Sequence, residues 1–276
     1  MQTVTATVSR AGGRSRNEDD LRWRDGDAIS YWLLADGLGG HAAGDVAARL
    51  AVTAAEQMLL DAIKVVDSGS ESTRPSITGD QPAGDAELLA RLRRAFAGAQ
   101  HALLQGMADA PGRAGMRATL VAALRIGERF AWGHVGDSRL YHFSERRLRA
   151  MTRDHSVRAM IEMPPRDVRA DAARNHLLRV LGEADTDTGA AAGAGAPELA
   201  APIAARPGDA LLLCSDGWWD HILETEMELD LAAARSPAEW LQRMEDRLLE
   251  RASGDYDNYT AIAVWCVDQN AARVDL

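Results

Sequence analysis

Four aspartates stand where apolar runs give out: Asp36 in "LLADG", Asp137 in "GHVGDS", Asp216 in "LLLCSDG", and Asp257 in "DYDNYT" just before a last apolar run. One such carboxylate is ordinarily a turn former, because Asp-Gly is a common turn dipeptide. Four at the strand ends of one sheet would repel one another unless something neutralised them. The chain has no Cys/His cluster of zinc spacing, so oxygen ligation of a hard ion such as Mg²⁺ or Mn²⁺ is the chemistry this pattern favours. The stretch "YWLLADGLGGH" (31–41) poses the choice most sharply. It reads either as a loop bringing bare backbone to a phosphate or as a strand end that holds a cation.

Other residues bear on that choice. "GRSRNEDD" (13–20) is a charged surface turn on its own, but arginine near carboxylates is also what phosphate recognition beside a metal requires. His41 lies beyond the glycines, where a lone histidine is more often a helix N-terminal or packing residue; beside proposed metals it fits a general acid for a leaving alkoxide. His134 sits in a strand-like run and reads as structural, and His155 has a weaker case. Rival phosphate chemistries fit poorly. A cysteine phosphatase needs arginine six residues after its nucleophile, and Asp220 stands there after Cys214. "DYDNYT" has tyrosine where an aspartyl-phosphate enzyme needs Thr or Val, and it precedes its strand. "DGLGGH" lacks the lysine of a Walker-type loop, so the phosphate-cradle reading falls away.

The elements that must position these residues follow from periodicity. Residues 3–9 and 29–36 read as strands, the second buried on both faces, and 42–65 and 87–107 as helices. Residues 118–126 and 129–137 form a hairpin about Gly127-Glu128, followed by a second strand pair in "SRLYHFS" and "RRLRAMT". Strands are expected at 209–216 and 259–267, with an amphipathic helix at 237–253. Residues 67–86 and 186–198 read as exposed flexible loops, and 155–182 as mixed and broken at Pro164-Pro165. Strands in runs with two blocks of helix predict an α+β domain, helices packed on antiparallel sheets, in a single unit over 1–276.

The 46% hydrophobic content can fill a core without disulfides, and Cys214 and Cys266 lie in apolar runs, as reduced thiols of a cytosolic protein would. A net charge of −10 argues against nucleic-acid binding. The N-terminus has no signal-peptide pattern, and no apolar run approaches the ~18 residues of a membrane span. A soluble, cytoplasmic protein without membrane insertion is expected.

The ordered series "RSRNED" (14–19), "ADGLGGHAAGDVAA" (35–48), "MRATL" (116–120), "VGDSRLY" (135–141), "MTRDHS" (151–156), "LLCSDGWWD" (212–220) and "DYDNYT" (255–260) resembles the type 2C family of metal-dependent protein Ser/Thr phosphatases, the bacterial single-domain members above all. The resemblance implies a four-layer α-β-β-α sandwich with two Mn²⁺ or Mg²⁺ ions, and a third in bacterial members. On it, Asp36 would bridge the two metals, the Gly37 carbonyl would complete one shell, Asp216 and Asp257 would hold the other, and Asp137 with Asp216 would hold the third. Arg14 matches the phosphate-binding arginine, Glu18 and Asp19 the water-mediated or outer acids, and His41 the general acid. Residues 155–182 fall where the family carries a flap.

The implied reaction is hydrolysis of phosphoserine and phosphothreonine in proteins by a metal-activated water, reversing a cognate bacterial Ser/Thr kinase, in a monomer. Two departures bear on substrate choice: Arg117 where a small residue is common, and Trp218-Trp219 where one smaller apolar residue is usual. The tail "SDGWWDHI…EMELDL…SPAEWLQRM" also looks like phosphatases that accompany a threonine kinase in type VI secretion clusters. The competing readings are a non-catalytic phosphoprotein-binding relative, which should have lost ligands, and a scaffold, which leaves the acidic cluster unexplained.

Overall fold

A computed structural model describes residues 1–39, 43–68, 81–110, 113–160, 177–183 and 195–268. Two antiparallel sheets lie at the centre. The first has the order β1 (Gln2–Arg10), β12 (Tyr259–Val267), β11 (Ala210–Cys214), β7 (Arg139–Ser144), β8 (Arg147–Met151). The second runs β10 (Ile203–Ala204), β6 (Arg129–Val135), β5 (Leu120–Ile126), β3 (Ile29–Leu38), β2 (Asp19–Arg24), with β4 (Arg117–Ala118) on β3 and β9 (Glu198–Leu199) on β6.

Strand alternation divides the apolar residues between faces. Trp32 and Leu34 of β3, Val121 and Ala123 of β5, Leu211 and Leu213 of β11, and Ile262 and Val264 of β12 meet in a buried core between the sheets. The intervening Tyr31, Leu33, Ala35, Leu120, Ala122 and Leu124 face outward onto helices α1 (Gly44–Ser68) and α2 (Gln81–Asp109). Alanines 47, 51 and 55 along one face of α1 let that helix approach the sheet closely. On the opposite side Tyr141, Phe143 and Leu212 pack against α4 (Asp216–Trp219), α5 (Glu224–Ala233) and α6 (Pro237–Arg251). Ser236 Oγ caps α6 by accepting from Glu239 N at 3.1 Å, with Pro237 in the first turn. The result is the expected four-layer α+β sandwich.

Several expectations need correcting. The loop expected over 67–86 is helical at both ends, because α1 runs to Ser68 and α2 starts at Gln81-Pro82, where proline suits a helix start; 69–80 lie outside the described residues. Glu198, placed in the second flexible loop, begins β9, while 184–194 lie outside. Of 155–182, Val157–Met160 form a short helix, α3, and 161–176 are outside the description. Strand β2 and helix α5 were not anticipated. Both cysteines are buried and free, and no helix among the described residues is long and apolar enough to cross a membrane.

The outer helices α5 and α6 are tied to each other by charge. Glu226, at the start of α5, accepts from Leu223 N at 3.0 Å and pairs with Arg251 of α6 at 2.7 Å. The Arg251 hydrogen bonds hold the Glu226 carboxyl down to about 2. A carboxylate depressed in this way adds stability above its unfolded value of 4.5 and loses it as pH falls toward about 2. Arg251→Ala should therefore move the acid limb of thermal stability to higher pH; melts between about pH 5 and about pH 2 that superimpose on wild type would remove the clamp from the account.

Candidate metal and phosphate site

At one end of the sandwich the inward register continues past the apolar core in polar residues. Two positions beyond Leu34 on β3 comes Asp36; two before Leu21 on β2 comes Asp19; two beyond Leu213 comes Ser215; two before Ile262 comes Thr260. Strand alternation thus directs these side chains between the sheets. Asp19 and Asp36 are direct cross-strand partners, an arrangement that like charges destabilise.

A cavity of about 700 Å³ opens over this end, lined by Arg14, Arg16, Glu18, Asp36, Gly37, Asp137, Asp216, Asp257 and Asn258, with Leu38 and Leu177 among its apolar members. Asp36 lies inside β3, Asp137 in the turn between β6 and β7, Asp216 at the first position of α4, and Asp257 before β12. Burial, then repulsion from Asp19, Asp216, Asp137 and Asp257, pushes the Asp36 carboxyl well above its ordinary value. Asp216 is raised well above by burial and by Asp137 and Asp257. Burial and Asp154 bring Asp137 to about 7. Asp19, fully walled in, is pushed by burial to about 6 against the hydrogen bonds of Thr260 and Ser215. Burial, Asp45 and Asp257 raise Glu18.

Backbone contacts hold this repulsive group in place. Asp36 N–H donates to Thr119 Oγ1 at 3.0 Å, and Thr119 N–H donates back to Asp36 O at 2.8 Å. Ser215 Oγ donates to Asp19 Oδ2 at 2.8 Å and accepts from Thr260 N at 3.0 Å. Asn258 Oδ1 accepts from Glu18 N at 2.8 Å, while its Nδ2 donates to Ala11 O at 2.8 Å and Arg16 O at 2.7 Å. That side chain fastens the N-terminal arginine loop to the Asp257 turn. Arg14 Nη2 donates to Asp257 Oδ2 at 3.2 Å. Gly37 cannot carry a side chain: a Cβ would stand 1.9 Å from Gly44 O and 2.9 Å from Glu18 O.

The residues present fit hard divalent ions. Asp19 Oδ1 is buried without a hydrogen-bond partner, the neighbouring Asp36 and Asp216 carboxyls are oxygen donors raised by burial and then by repulsion from other acids, and the cavity leaves room for the waters such ions retain. The compact trio of metal-type ligands among the described residues lies elsewhere: His134, His155 and Glu198 have ligand atoms within 4.8 Å of one another. A guanidinium already stands beside one of them, Arg179 Nη1 being 3.2 Å from His155 Nε2. His155 is driven down to about 4 by burial, then by His134 and Arg179. It stacks on His134 at 4.4 Å, and His134 Nε2 lies 2.7 Å from Arg153 O. These are structural contacts, as anticipated for His134.

Of the sequence-derived site residues, the structure brings together Arg14, Glu18, Asp36, Gly37, Asp137, Asp216 and Asp257 around the cavity and sets Asp19 behind Asp36. His41 lies outside the described residues. Arg117 does not line the cavity and pairs instead with Glu183 at 3.2 Å. Thr119, Ser215, Asn258 and Asp45 received no role from the sequence. All four stand inside the quoted motifs, but what betrays Thr119, Ser215 and Asn258 is the backbone groups they satisfy.

Comparison with known proteins agrees with this geometry. The chain matches a family model described as Protein phosphatase 2C over residues 8–255. It is 32% identical to the Serine/threonine phosphatase stp of Listeria welshimeri over 91% of this chain and 90% of that protein. It is 31% identical to the Serine/threonine protein phosphatase PstP of Mycobacterium tuberculosis, over 92% of this chain but 43% of that protein's length. The crystal structure of the PstP catalytic domain in complex with 2 manganese ions superimposes with a TM-score of 0.69 at 28% identity, covering 97% of this chain and 99% of that one. PppA, described as a key regulatory component of T6SS in Pseudomonas aeruginosa, gives 0.69 at 26% identity, covering 96% and 98%.

The repulsion in the site predicts an unusual response to neutralising a carboxylate. In chelator at about pH 8, Asp36→Asn should melt on the order of 2–4 °C above wild type, since ~1 kcal/mol of like-charge strain is relieved. The same variant should lose most of the stabilisation that Mn²⁺ gives wild type. Calorimetry with and without the ion checks both; a lower melt in chelator contradicts the strain.

Proposed function

The chain belongs to the protein phosphatase 2C family, and from that premise we propose that it hydrolyses phosphoserine and phosphothreonine in proteins with Mn²⁺ or Mg²⁺. The observation that carries the reading is the convergence of Asp36, Asp137, Asp216 and Asp257 on one open cavity with Arg14 at its rim. Asp36, the Gly37 carbonyl, Asp216 and Asp257 are assigned to two ions, and Asp137 with Asp216 to a third. Bound there, the ions supply Lewis acidity, lowering the pKa of water and offsetting charge on phosphoryl oxygens.

The chain's own groups do the rest. Arg14 grips the phosphate from the rim; its loop is pinned by Asn258, so the guanidinium is presented with little to reorganise. Glu18 and Asp19 act as outer acids, Asp19 keeping its place through Ser215. His41 protonates the leaving oxygen of the serine or threonine. A non-catalytic, phosphoprotein-binding relative should lack a ligand, and all four aspartates are present.

The substrates are assigned as phosphoproteins of a cognate Ser/Thr kinase, with Mn²⁺ as the first ion to test. A monomeric protein of the cytoplasm fits the free, buried cysteines. The type VI secretion setting rests on the "SDGWWDHI…SPAEWLQRM" tail and on the 26% identity to PppA.

Hydrolysis of a phosphothreonine peptide in Mn²⁺ should stop in EDTA and fall by on the order of 10²–10³ in Asp36→Asn; activity that survives both treatments sinks the mechanism. His41→Ala should slow phosphothreonine peptides by roughly 10²-fold or more and spare aryl phosphates, whose leaving groups need no proton. Equal losses on the two substrates would remove the general-acid role.

A further inference from the structure

Three observations meet at Trp219. Its indole Nε1 donates to Asp137 O at 3.0 Å. Its ring lies over the Arg139 guanidinium, with Cζ 3.4 Å from the ring centroid. That guanidinium is itself fixed: Arg139 donates to Asp154 Oδ1 at 2.8 Å and Oδ2 at 2.7 Å, and to Tyr141 Oη at 3.0 Å. A planar fork held by a carboxylate presents a rigid floor for an aromatic ring.

The other side of the same turn is already taken. Gly136 N–H donates to His155 Nδ1 at 3.2 Å, and His155 N–H donates to Gly136 O at 2.9 Å. Gly136 adopts φ 101°, and a Cβ there would stand 2.6 Å from Thr119 Cγ2. His155 and Thr119 therefore hold Gly136 from below. The hydrogen bond from Trp219 reaches the carbonyl of Asp137 itself and sets the rotation of the peptide that carries the carboxylate. Trp219 stands three residues after Asp216, on the short helix that Asp216 opens. One turn of helix thus supplies a carboxylate and the strut for a second one.

We propose that Trp219 is a positioning residue for metal binding at Asp137, acting as a strut between the Arg139–Asp154 pair and the Asp137 carbonyl. This rests on the reading of Asp137 as a metal ligand. It gives the tryptophan pair two separate tasks: Trp218 is fully buried in the outer core, while Trp219 reaches the cavity end. Phe at 219 would keep a ring over Arg139 and lose only the N–H. Leu would lose both contacts.

The test is Mn²⁺ binding to the full chain by calorimetry and by electron paramagnetic resonance of the free ion, on wild type, W219F, W219L, D137N and D137N/W219F, with circular dichroism to check folding. We expect D137N to lose one class of bound ion. W219F should weaken that same class roughly tenfold and leave the others untouched, with W219L at least as severe. In the D137N background, W219F should change nothing further. A W219F isotherm that superimposes on wild type overturns the inference, and so does a W219F loss that persists in D137N. If D137N binds as many ions as tightly as wild type, Asp137 is not a ligand and the premise itself falls, a result distinct from either of the others.

Discussion

Carboxylates that cannot all carry their charge at once hold this structure's logic together. Asp19 and Asp36 face each other across a strand pair, and burial raises the Asp216 carboxyl, with Asp137 close enough to raise it further. Protein interiors tolerate such a group only when its geometry is imposed from outside and its charge is answered by a partner. The first condition is met by backbone: Thr119 on Asp36, Ser215 on Asp19, Asn258 on the Glu18 peptide. The second calls for cations, and Arg14 on Asp257 is the one direct ion pair from the rim among the described contacts.

The sandwich is the device that brings such residues together. A stripe of Trp32, Leu34, Leu211, Leu213, Ile262 and Val264 closes the sheets over each other. Burying one side chain of this size is worth ~2 kcal/mol, so the stripe offsets the cost of crowding charge at its end. Because side chains alternate with period two, extending the stripe by one step on each strand delivers a polar atom to the same space. Helices α1 and α2 on one side and α5 and α6 on the other seal the outer faces. Two helix starts contribute to the site, Gly44 of α1 against Gly37 and Asp216 at the first position of α4.

Much of this was legible in the sequence because its signals are local. "ISYWLLAD" and "YTAIAVWCV" read as strands from composition, and the glycine after Asp36 announced a place where backbone comes close. The family resemblance supplied the residue roles that spacing alone left open. Strand β2 escaped because "EDDLRWR" looks like a surface turn; only the partner strand and Ser215 make Asp19 a buried residue. Helix α5 escaped because its buried face includes Asp230, an acid that reads as exposed until Arg247 of α6 pairs with it at 2.7 Å. The loop expected over 67–86 is too long because the Gly, Asp and Pro residues near Gln81 resemble a turn, whereas Pro82 suits the first turn of α2.

Residues that carry charge and residues that carry constraint leave different traces in a sequence. An aspartate at the end of an apolar run stands out, because its type contradicts its surroundings. A threonine or serine that holds it does not, because the same residue is commonplace in any strand. Thr119 shows the difference: it sits between β4 and β5, next to buried Ala118 and Leu120, and spends its hydroxyl on Asp36 N and its amide on Asp36 O. Replacing its charged neighbour would alter what the site can bind, whereas replacing Thr119 would alter where the site is. Sites built on mutual repulsion need both kinds, since carboxylates free to move apart would relax and lose the affinity that their crowding stores. The glycines complete the same argument from the backbone side. A Cβ on Gly37 would force Gly44 and Glu18 away and open the contact by which α1 closes behind β3 where it holds Asp36 over the cavity.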